Sequence, residues 1–271
     1  MPKLPDIRAE KGGLLLRQAR GPEEIAACQR LRYRVFYEEL GATPVGDMAR
    51  MRMDTDRFDE ICDHLVVVRG GADHDGDAIC LPDGELIGTY RLLRQEVAEV
   101  NGGFYTQGEF DIAPLVAAHP RHRFLELGRS CVLKSYRTRP VVELLWQGIW
   151  DYVRAHDLDV MLGCASLEGT DPRQHELALS LLAEASAPPD WTVRALPGHR
   201  VEMRRLPPEQ IDRRRALKLL PPLIKGYLRL GCYIGDGAVI DRQFNTIDVL
   251  IILPVSAINA RYFEHFGAPN G

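Results

Sequence analysis

The chain has 271 residues, which suits one large domain or one domain with an extension and allows a substantial buried core. Its 45% hydrophobic and 27% charged residues are typical of a soluble globular protein, and a formal net charge of −4 gives no general reason to expect nucleic-acid binding. The 6 cysteines form no Cys-x-x-Cys pair, which argues against a zinc site and a disulfide scaffold and fits a reducing cytoplasm.

The hydropathy pattern gives no sign of a targeting or spanning segment. The N-terminal residues lack the apolar core of a signal peptide, and the longest apolar run, 249–258, is too short to cross a bilayer and contains Pro254. We therefore expect a soluble, cytoplasmic protein that contacts a membrane only at its periphery, if at all.

The predicted elements begin with a strand over Gly13–Ala19 and a helix that starts at Gly21, where a proline and two acids occupy the first turn. A polar, methionine-rich segment over 41–59 is predicted to be a loop. Strands follow at His64–Arg69 and Glu85–Leu93, joined by a segment rich in Gly and Asp that is typical of a hairpin loop.

The second half of the chain alternates between strand and helix patterns. It has a strand over Phe124–Leu133, a helix over Pro140–His156, a buried strand over Leu158–Gly163 and a helix over Arg173–Ala185, before one or two closing strands within Trp191–Leu206. This order predicts an α/β (α+β) protein in which a central hairpin leads into a strand–helix–strand crossover.

We predict two parts along the chain. Residues 1–206 would form the core, and 207–271 would form a C-terminal extension packed on it. The extension contains a basic helical segment and one apolar strand over Asp248–Leu253.

The strand over Phe124–Leu133 carries two charges within an apolar pattern. Glu126 and Arg129 stand three residues apart, which on a regular strand places them on opposite faces. Gly128 between them is typical of a bulge, which would bring both charges to one side of the sheet. From these residues alone the pair is either a catalytic centre or a structural ion pair, and an isolated pair favours the structural interpretation.

Charge is unevenly distributed along the chain. Acidic residues dominate from Glu38 to Asp63, basic residues dominate from Arg121 to Arg139, and a second basic run covers Arg204–Arg229. An acidic region beside a basic one suits a protein that binds one cationic and one anionic substrate. Each run by itself is more often a solvated surface.

Seven segments form an ordered set of motifs. They are Leu31–Leu40, Asp56–Asp59, Gly88–Leu93, Leu125–Arg129, Leu162–Pro172, Leu220–Gly231 and Phe244–Leu250. In this order they resemble the ornithine N-acyltransferase family of ornithine-lipid synthesis. That family has the GCN5-related N-acyltransferase (GNAT) fold and is related to the acyl-homoserine-lactone synthases. The last three segments are similar to the ornithine enzymes rather than to the lactone synthases.

The resemblance implies a fold and a reaction. The fold would be a central mixed, mostly antiparallel sheet flanked by helices. The reaction would transfer a 3-hydroxy fatty acyl group from acyl carrier protein to the α-amine of L-ornithine, giving lyso-ornithine lipid. No cofactor would be permanently bound, because the acyl-phosphopantetheine of acyl carrier protein is a co-substrate. Peripheral contact with the inner membrane would fit such a product, and nucleic acid would not be a partner.

The same resemblance implies roles for individual residues. Glu126 would act as the general base, directly or through a water, because burial raises a carboxylate's pKa toward the working range. Arg129 would hold Glu126 or bind the substrate carboxylate. The remaining substrate-binding residues would be Arg32, Phe36, Asp56, Asp59, Arg91 and Ser166.

Four of these substrate-binding residues carry more specific expectations. Asp56 and Asp59 would receive the ammonium groups of ornithine. Arg91, in the middle of a strand, would pair with an acid, because an unpaired guanidinium there is costly. Phe36 would line the pocket, although its spacing also fits the core.

The donor site is predicted from the basic residues after the strand. The glycine-rich Q-x-x-G-x-G/A loop of acetyl-CoA enzymes is replaced here by a segment with Lys134, Arg137 and Arg139, which suits an acidic carrier protein and its single phosphate. The second basic run would contact acyl carrier protein or an anionic membrane, or be a solvated helix face. We expect no metal, because the aspartates after Met53 fail the EF-hand spacing.

Two other functions stay open from the sequence. The first is an acyl-homoserine-lactone synthase that uses S-adenosylmethionine; Ala42, where that branch usually has tryptophan, disfavours it. The second is a catalytically silent module that binds acyl carrier protein or membrane.

Overall fold

The computed structural model describes residues 7–71 and 76–258. Part of the predicted hairpin loop, 72–75, and the end of the predicted extension, 259–271, lie outside the described residues.

Strands supply most of the framework. They are β1 (Arg8–Lys11), β2 (Leu14–Gln18), β3 (Asp63–Arg69), β4 (Cys80–Leu81), β5 (Gly84–Arg94), β6 (Phe110–Asp111), β7 (Phe124–Val132), β8 (Val160–Glu168), β9 (Arg194–Ala195), β10 (Arg200–Val201), β11 (Tyr233–Asp241) and β12 (Thr246–Pro254). The helices are α1 (Gly21–Tyr33), α2 (Met48–Met51), α3 (Gln95–Val100), α4 (Ala113–Ala118), α5 (Arg139–Ala155), α6 (Glu176–Glu184), α7 (Arg213–Leu219) and α8 (Pro222–Leu230). Within the described ranges, no helix combines the length and apolar character needed to cross a membrane.

The predicted fold class is confirmed. The sheet is mixed and mostly antiparallel, with parallel pairing between β7 and β8 and between β9 and β11, and helices flank it. The main strands and helices predicted from the sequence are all present. The prediction missed β11, whose pattern is interrupted by glycines. Gly235 is required by close packing, because a Cβ there would lie 2.9 Å from the Cβ of Leu250. Gly237 has a φ of +93°, which favours glycine, and it lies where the pairing of β11 with β12 shifts register, between Ile234 and Ala238.

Residue contacts divide the chain into two units. The described part of the first unit lies within 7–101 and 127–157, and its strand order is β1-β2-β3-β5 followed by the end of β7. Helix α1 packs on β3 and β5, and α5 packs on β1, β2 and β3. The close packing of α5 on β2 requires a glycine at position 148, because a Cβ on Gly148 would lie 2.4 Å from Cδ2 of Leu16.

The second unit lies within 102–126 and 158–258 in its described part. Its strand order starts with the beginning of β7 and continues β8-β12-β11-β9-β6. Strand β12 pairs antiparallel with β8 along its whole length, from Thr246 opposite Glu168 to Pro254 opposite Val160. This unit therefore runs across the boundary that we predicted between 206 and 207, and that boundary stays a prediction.

Candidate active site

Glu126 is a buried carboxylate with fixed hydrogen-bond partners in the second unit. Glu126 is 5% exposed and is the last residue of β7 that pairs in parallel with β8. The backbone N–H of Tyr105 donates to Oε2 at 2.9 Å, and that of Thr106 donates to Oε1 at 2.7 Å. The hydroxyl of Thr106 also donates to Oε1. Hydrogen bonds of this kind to a charged acceptor are strong and short, so they fix the orientation of the carboxylate.

Two more carboxylates and a thiol lie in the same unit. Cys164 on β8, Glu109 and Asp248 on β12 place their side-chain ligand atoms within 4.8 Å of one another, and the thiol of Cys164 donates to Oε2 of Glu109 at 3.3 Å. Burial, followed by the negative charges of Glu109, Asp248 and Glu126, raises the pKa of Cys164 well above its usual range. The sulfur is therefore a protonated thiol, neither a ready nucleophile nor a thiolate ligand.

Ser166 stands at the edge of this group. It lies two residues after Cys164 on β8, so the two side chains are on the same face of the sheet. In the pairing of β8 with β12, Ser166 is opposite Asp248. Ser166 is exposed, whereas Asp248 is 7% exposed. The sequence prediction had assigned Ser166 to substrate binding, and that role stays a prediction.

The first unit contains a separate network of buried ion pairs. Its charged members are three arginines and three aspartates: Arg32, Arg91, Arg129, Asp54, Asp56 and Asp59. Their formal charges sum to zero, which is the condition under which buried ions are tolerated.

Arg32 is at the centre of the network. It is 1% exposed, and its two terminal nitrogens donate to the two oxygens of Asp59 at 2.7 and 2.8 Å. Its Nε lies 2.8 Å from Oδ2 of Asp54. Gln29 also donates to Asp59, at 3.0 Å. Both oxygens of Asp59 are thus occupied by side chains of the protein, and Asp59 itself is 2% exposed.

The other two arginines connect Asp56 to the network. Arg91 donates to Asp56 at 2.7 Å and to Asp59 at 3.0 Å, as expected from the cost of an unpaired guanidinium in a strand. Arg129 donates to Asp54 and to Asp56, each at 3.1 Å. Asp56 keeps a 19% exposed side chain and is the most accessible of the three aspartates.

The backbone of Arg129 has a conformation that non-glycine residues rarely adopt. Its φ is +51°, in the left-handed region, next to the glycine at which a bulge was predicted. Such strain costs about 1–3 kcal/mol and persists where the surroundings over-determine it. Here the two ion pairs to Asp54 and Asp56 hold the side chain in place.

A π-helix over Arg34–Glu39 continues α1 and adds Tyr37 to the network. The Tyr37 hydroxyl donates to Oδ1 of Asp54 at 3.0 Å. In an α-helix, residues five apart such as Arg32 and Tyr37 point in different directions, whereas the wider π-helical turn brings them toward one face. Phe36 is partly buried and packs against the core cluster that includes Leu31 and Val35, so its predicted role in lining a pocket stays a prediction.

Burial and charge set the protonation of two groups in this network. Burial alone would raise the pKa of Asp59, but the hydrogen bonds and charge of Arg32, with the charge of Arg91, hold it far below its usual range. Burial lowers the pKa of His64, and the charges of Arg32 and Arg91 act in the same direction. Asp59 is therefore ionised and His64 neutral near pH 7.

The three basic residues predicted for donor binding lie in the first unit. Lys134 is exposed and lines a cleft of about 870 Å³. Arg137 forms a two-bond pair with Glu39, at 2.6 and 2.7 Å, and Arg139 pairs with Glu143 at 2.6 Å. The cleft is lined by Arg34, Glu38, Glu39, Arg69, Ala78, Glu85, Leu133, Lys134, Ser135 and Tyr136.

Comparisons with known proteins identify the family. A family model for the acetyltransferase (GNAT) domain matches residues 31–147. The chain is 50% identical to an L-ornithine N(alpha)-acyltransferase of Agrobacterium fabrum, over 94% of this chain and 86% of that protein. It is 48% identical to the enzyme of the same name from Rhizobium meliloti, over 98% of this chain and 88% of the relative. The chain belongs to the L-ornithine N(alpha)-acyltransferase family.

Membership of the L-ornithine N(alpha)-acyltransferase family confirms the resemblance found in the sequence and makes the protein an acyltransferase. A further relative of the same name, from Brucella abortus, is 49% identical over 95% of this chain and 90% of its own length. The solved structure of FeeM, an N-acyl amino acid synthase from uncultured soil microbes, is 12% identical with a TM-score of 0.49, over 92% of this chain and 97% of that one.

The structure also adds residues that the sequence prediction for this acyltransferase missed. They are Tyr37 and Asp54 in the first unit and Thr106, Glu109 and Asp248 in the second. The sequence pattern could have pointed to Asp248, because it is an acid inside an otherwise apolar strand, as Glu126 is. No sequence pattern pointed to Thr106 or Glu109, because the segment over 101–112 shows no regular spacing of apolar residues.

Proposed function

We propose that the protein transfers a 3-hydroxy fatty acyl group from acyl carrier protein to the α-amine of L-ornithine and releases lyso-ornithine lipid. The observation that carries this proposal is the 48–50% identity, over nearly the whole chain, to proteins named L-ornithine N(alpha)-acyltransferase. The acyl carrier protein and the 3-hydroxy group rest on the family resemblance. The enzyme works in the cytoplasm, in peripheral contact with the inner membrane.

Glu126 takes the proton that the reaction requires the amine to lose. At neutral pH the α-amine is largely an ammonium, which has no lone pair with which to attack a thioester. Glu126 accepts that proton directly or through one water, and the freed nitrogen attacks the thioester carbon. An N–C bond forms, the nitrogen loses its second proton, and the C–S bond breaks. One of the two protons goes to the departing thiolate, and the other is released to solvent. The three donors on Glu126 support this role, because they hold the carboxylate in one orientation.

Glu109 and Asp248 give the second unit a place for a cation. Ornithine carries a second ammonium on its side chain, and two carboxylates beside a protonated thiol are suited to accept its hydrogen bonds. This assignment differs from the one predicted from the sequence, in which Asp56 and Asp59 received the ammonium groups. Asp59 has both oxygens occupied by Arg32, so we assign it a positioning role within its network.

The network of the first unit has a supporting part in this proposal. Arg32 and Arg91 neutralise Asp54, Asp56 and Asp59, and they fix the segment over 54–59 in one conformation. Asp56 and Arg129 keep partly exposed side chains, so contact with substrate by these two residues remains part of the proposal.

The donor is delivered by acyl carrier protein as an acyl-phosphopantetheine. Lys134, Arg137 and Arg139 support this choice, because they form an exposed cluster of cations where α5 begins, in which Arg137 also pairs with Glu39 and Arg139 with Glu143. An acidic carrier protein gains encounter rate and orientation from such a group. Helix α5 has 17 residues, and the positive end of its dipole adds to the attraction for a phosphate.

Purified protein tests the proposal directly. It is incubated with 3-hydroxyacyl carrier protein and L-ornithine, and the products are identified by mass spectrometry. We expect the mass of mono-acylated ornithine, with fragmentation that places the acyl group on the α-nitrogen. S-adenosylmethionine replaces ornithine in a parallel reaction, because it is the amine donor of the lactone synthases. Transfer to S-adenosylmethionine but not to ornithine would contradict the proposal.

A further inference from the structure

Cys164 joins two carboxylates of the second unit through its side-chain contacts. Its Sγ lies 3.3 Å from Oε2 of Glu109 and 4.0 Å from Oγ1 of Thr106. The hydroxyl of Thr106 in turn donates to Oε1 of Glu126. We call these contacts the Glu126–Glu109 chain, in which Thr106 and Cys164 are the two inner members.

The thiol of Cys164 has one proton and therefore donates to one of its two neighbours at a time. The contact with Oε2 of Glu109 is shorter, and an ionised acceptor makes the stronger hydrogen bond. Thr106 uses its hydroxyl proton on Glu126, so its oxygen can only accept on the side of the sulfur. Cys164 therefore restrains Glu109 through a hydrogen bond and Thr106 through direct contact.

The sulfur suits this position because it is neutral. Its raised pKa, which burial and the neighbouring carboxylates cause, keeps the thiol of Cys164 protonated at neutral pH. Another carboxylate in its place would repel Glu109, Asp248 and Glu126, and an ammonium would neutralise them and compete with a substrate cation. A neutral donor orients the carboxylates and leaves their negative charge for the substrate.

We propose that Cys164 is a positioning residue for both ends of bound ornithine. It fixes Glu109, which accepts the side-chain ammonium, and it restrains Thr106, which orients Glu126 toward the α-amine. The inference rests on the proposed function, because that function assigns both carboxylates. The alternative role is that of a nucleophile that carries the acyl group as a thioester, and a protonated sulfur is poorly suited to it.

Two substitutions at position 164 separate a hydrogen-bonding role from the filling of space. Cys164→Ala removes the donor, whereas Cys164→Ser keeps a neutral donor. Cys164→Ala should raise the KM for ornithine and lower kcat, each about fivefold, which is the effect of losing one ordinary hydrogen bond. Cys164→Ser should recover most of both losses, because its hydroxyl donates to the same acceptors. Equal losses in the two variants, or no loss in Cys164→Ala, would overturn the proposal.

Cys232 provides a matched control in the same unit. It is 6% exposed, and burial raises the pKa of its thiol to about 12. Cys232→Ala and Cys232→Ser also replace a buried thiol, but they leave the Glu126–Glu109 chain intact. Both should keep kcat and the KM for ornithine within twofold. A change at Cys232 as large as that in Cys164→Ala would make the effect a general consequence of altering a buried thiol and would overturn the proposal.

The S–H stretching band tests the contact with Glu109 without any acyl transfer. The difference between the infrared spectra of the unaltered chain and Cys164→Ala isolates the band of this thiol. Donation to a carboxylate should place the band at a lower frequency than that of Cys232, and Glu109→Gln should raise the frequency because the acceptor loses its charge. A band at the frequency of Cys232, unmoved by Glu109→Gln, would overturn the proposal.

Intact-protein mass spectrometry decides between positioning and covalent catalysis. The unaltered chain is mixed with 3-hydroxyacyl carrier protein in the absence of ornithine, and no acylated enzyme should accumulate. An acyl group on the unaltered chain that is absent from Cys164→Ala would make the sulfur a nucleophile and overturn the proposal. An S–H band that responds to Glu109→Gln, in a chain that transfers nothing to ornithine, would contradict the proposed function while supporting the hydrogen bond on which this inference depends.

Discussion

Replacing Asp59 by asparagine should strongly destabilise the first unit. Asp59 receives two hydrogen bonds from Arg32, one from Gln29, one from Arg91 and one from the backbone N–H of Asp56. The substitution removes the negative charge and turns one acceptor into a donor that faces other donors. A balanced set of three positive and three negative groups is left with one buried positive charge in excess.

The expected cost follows from the burial of that charge. Removing one partner of a buried ion pair typically costs about 3–5 kcal/mol, because the remaining charge stays desolvated. Urea unfolding followed by circular dichroism measures this free energy. The matched control is Asp47→Asn, since Asp47 pairs with Arg50 at 3.2 Å but both side chains are about 70% exposed, and it should change stability by no more than about 0.5 kcal/mol.

A double variant tests whether the excess positive charge is the cause of the destabilisation. Arg32→Met/Asp59→Asn restores charge balance, because two arginines and two aspartates remain. It should be destabilised by at least about 1 kcal/mol less than the sum of the two single variants, which is the coupling expected for residues in one network. The charge argument is refuted if Asp59→Asn costs less than about 1 kcal/mol or if the single effects simply add.

Three further predictions concern the reaction, and a fourth concerns the pH dependence of stability. Glu126→Gln should lower kcat/KM by about 10²–10⁴, because the base is lost. The amide oxygen can still accept from Thr106, its NH2 group then faces the N–H of Tyr105, and circular dichroism checks that the variant is folded. Asp248→Asn should raise the KM for ornithine about tenfold to a hundredfold, which is the loss of affinity expected when one hydrogen bond to a charged group is removed. The kcat should change little. Arg137→Glu combined with Arg139→Glu should raise the KM for acyl carrier protein and leave that for ornithine unchanged. Because burial lowers the pKa of His64, the free energy of unfolding should fall as the pH drops below about 6.5, where only the unfolded chain takes up this proton, and His64→Gln should flatten that slope.

Each of these predictions has an outcome that contradicts it. Unchanged turnover in Glu126→Gln excludes it as the base. An unchanged KM for ornithine in Asp248→Asn removes that residue from the cation site, and Glu209→Gln, which alters an exposed acid, is its control. An unaltered dependence of rate on carrier-protein concentration removes the arginine pair from donor binding. A pH slope between 5 and 7 that persists in His64→Gln assigns the effect to other groups.

The sequence by itself determined the family, the order of the main elements and the residues with unusual local patterns. Glu126 stood out because an acid in an apolar strand must be satisfied by something nearby. Arg91 was expected to pair with an acid for the same reason, and it pairs with Asp56 and Asp59. These inferences succeed because desolvation penalties depend on the residue type and its immediate strand, both of which are visible in the sequence.

Only the tertiary structure decided which partners these residues use. The donors to Glu126 come from a turn twenty residues earlier in the chain, in a segment without a recognisable pattern. Asp248 reaches Cys164 because β12 pairs with β8 across about eighty residues, in a register set by two apolar strands. Asp59 is occupied by Arg32 because α1 and the following loop bring them together. Sequence distance carries no information about such contacts, since the packing of apolar elements, and not the charges themselves, selects which polar groups meet.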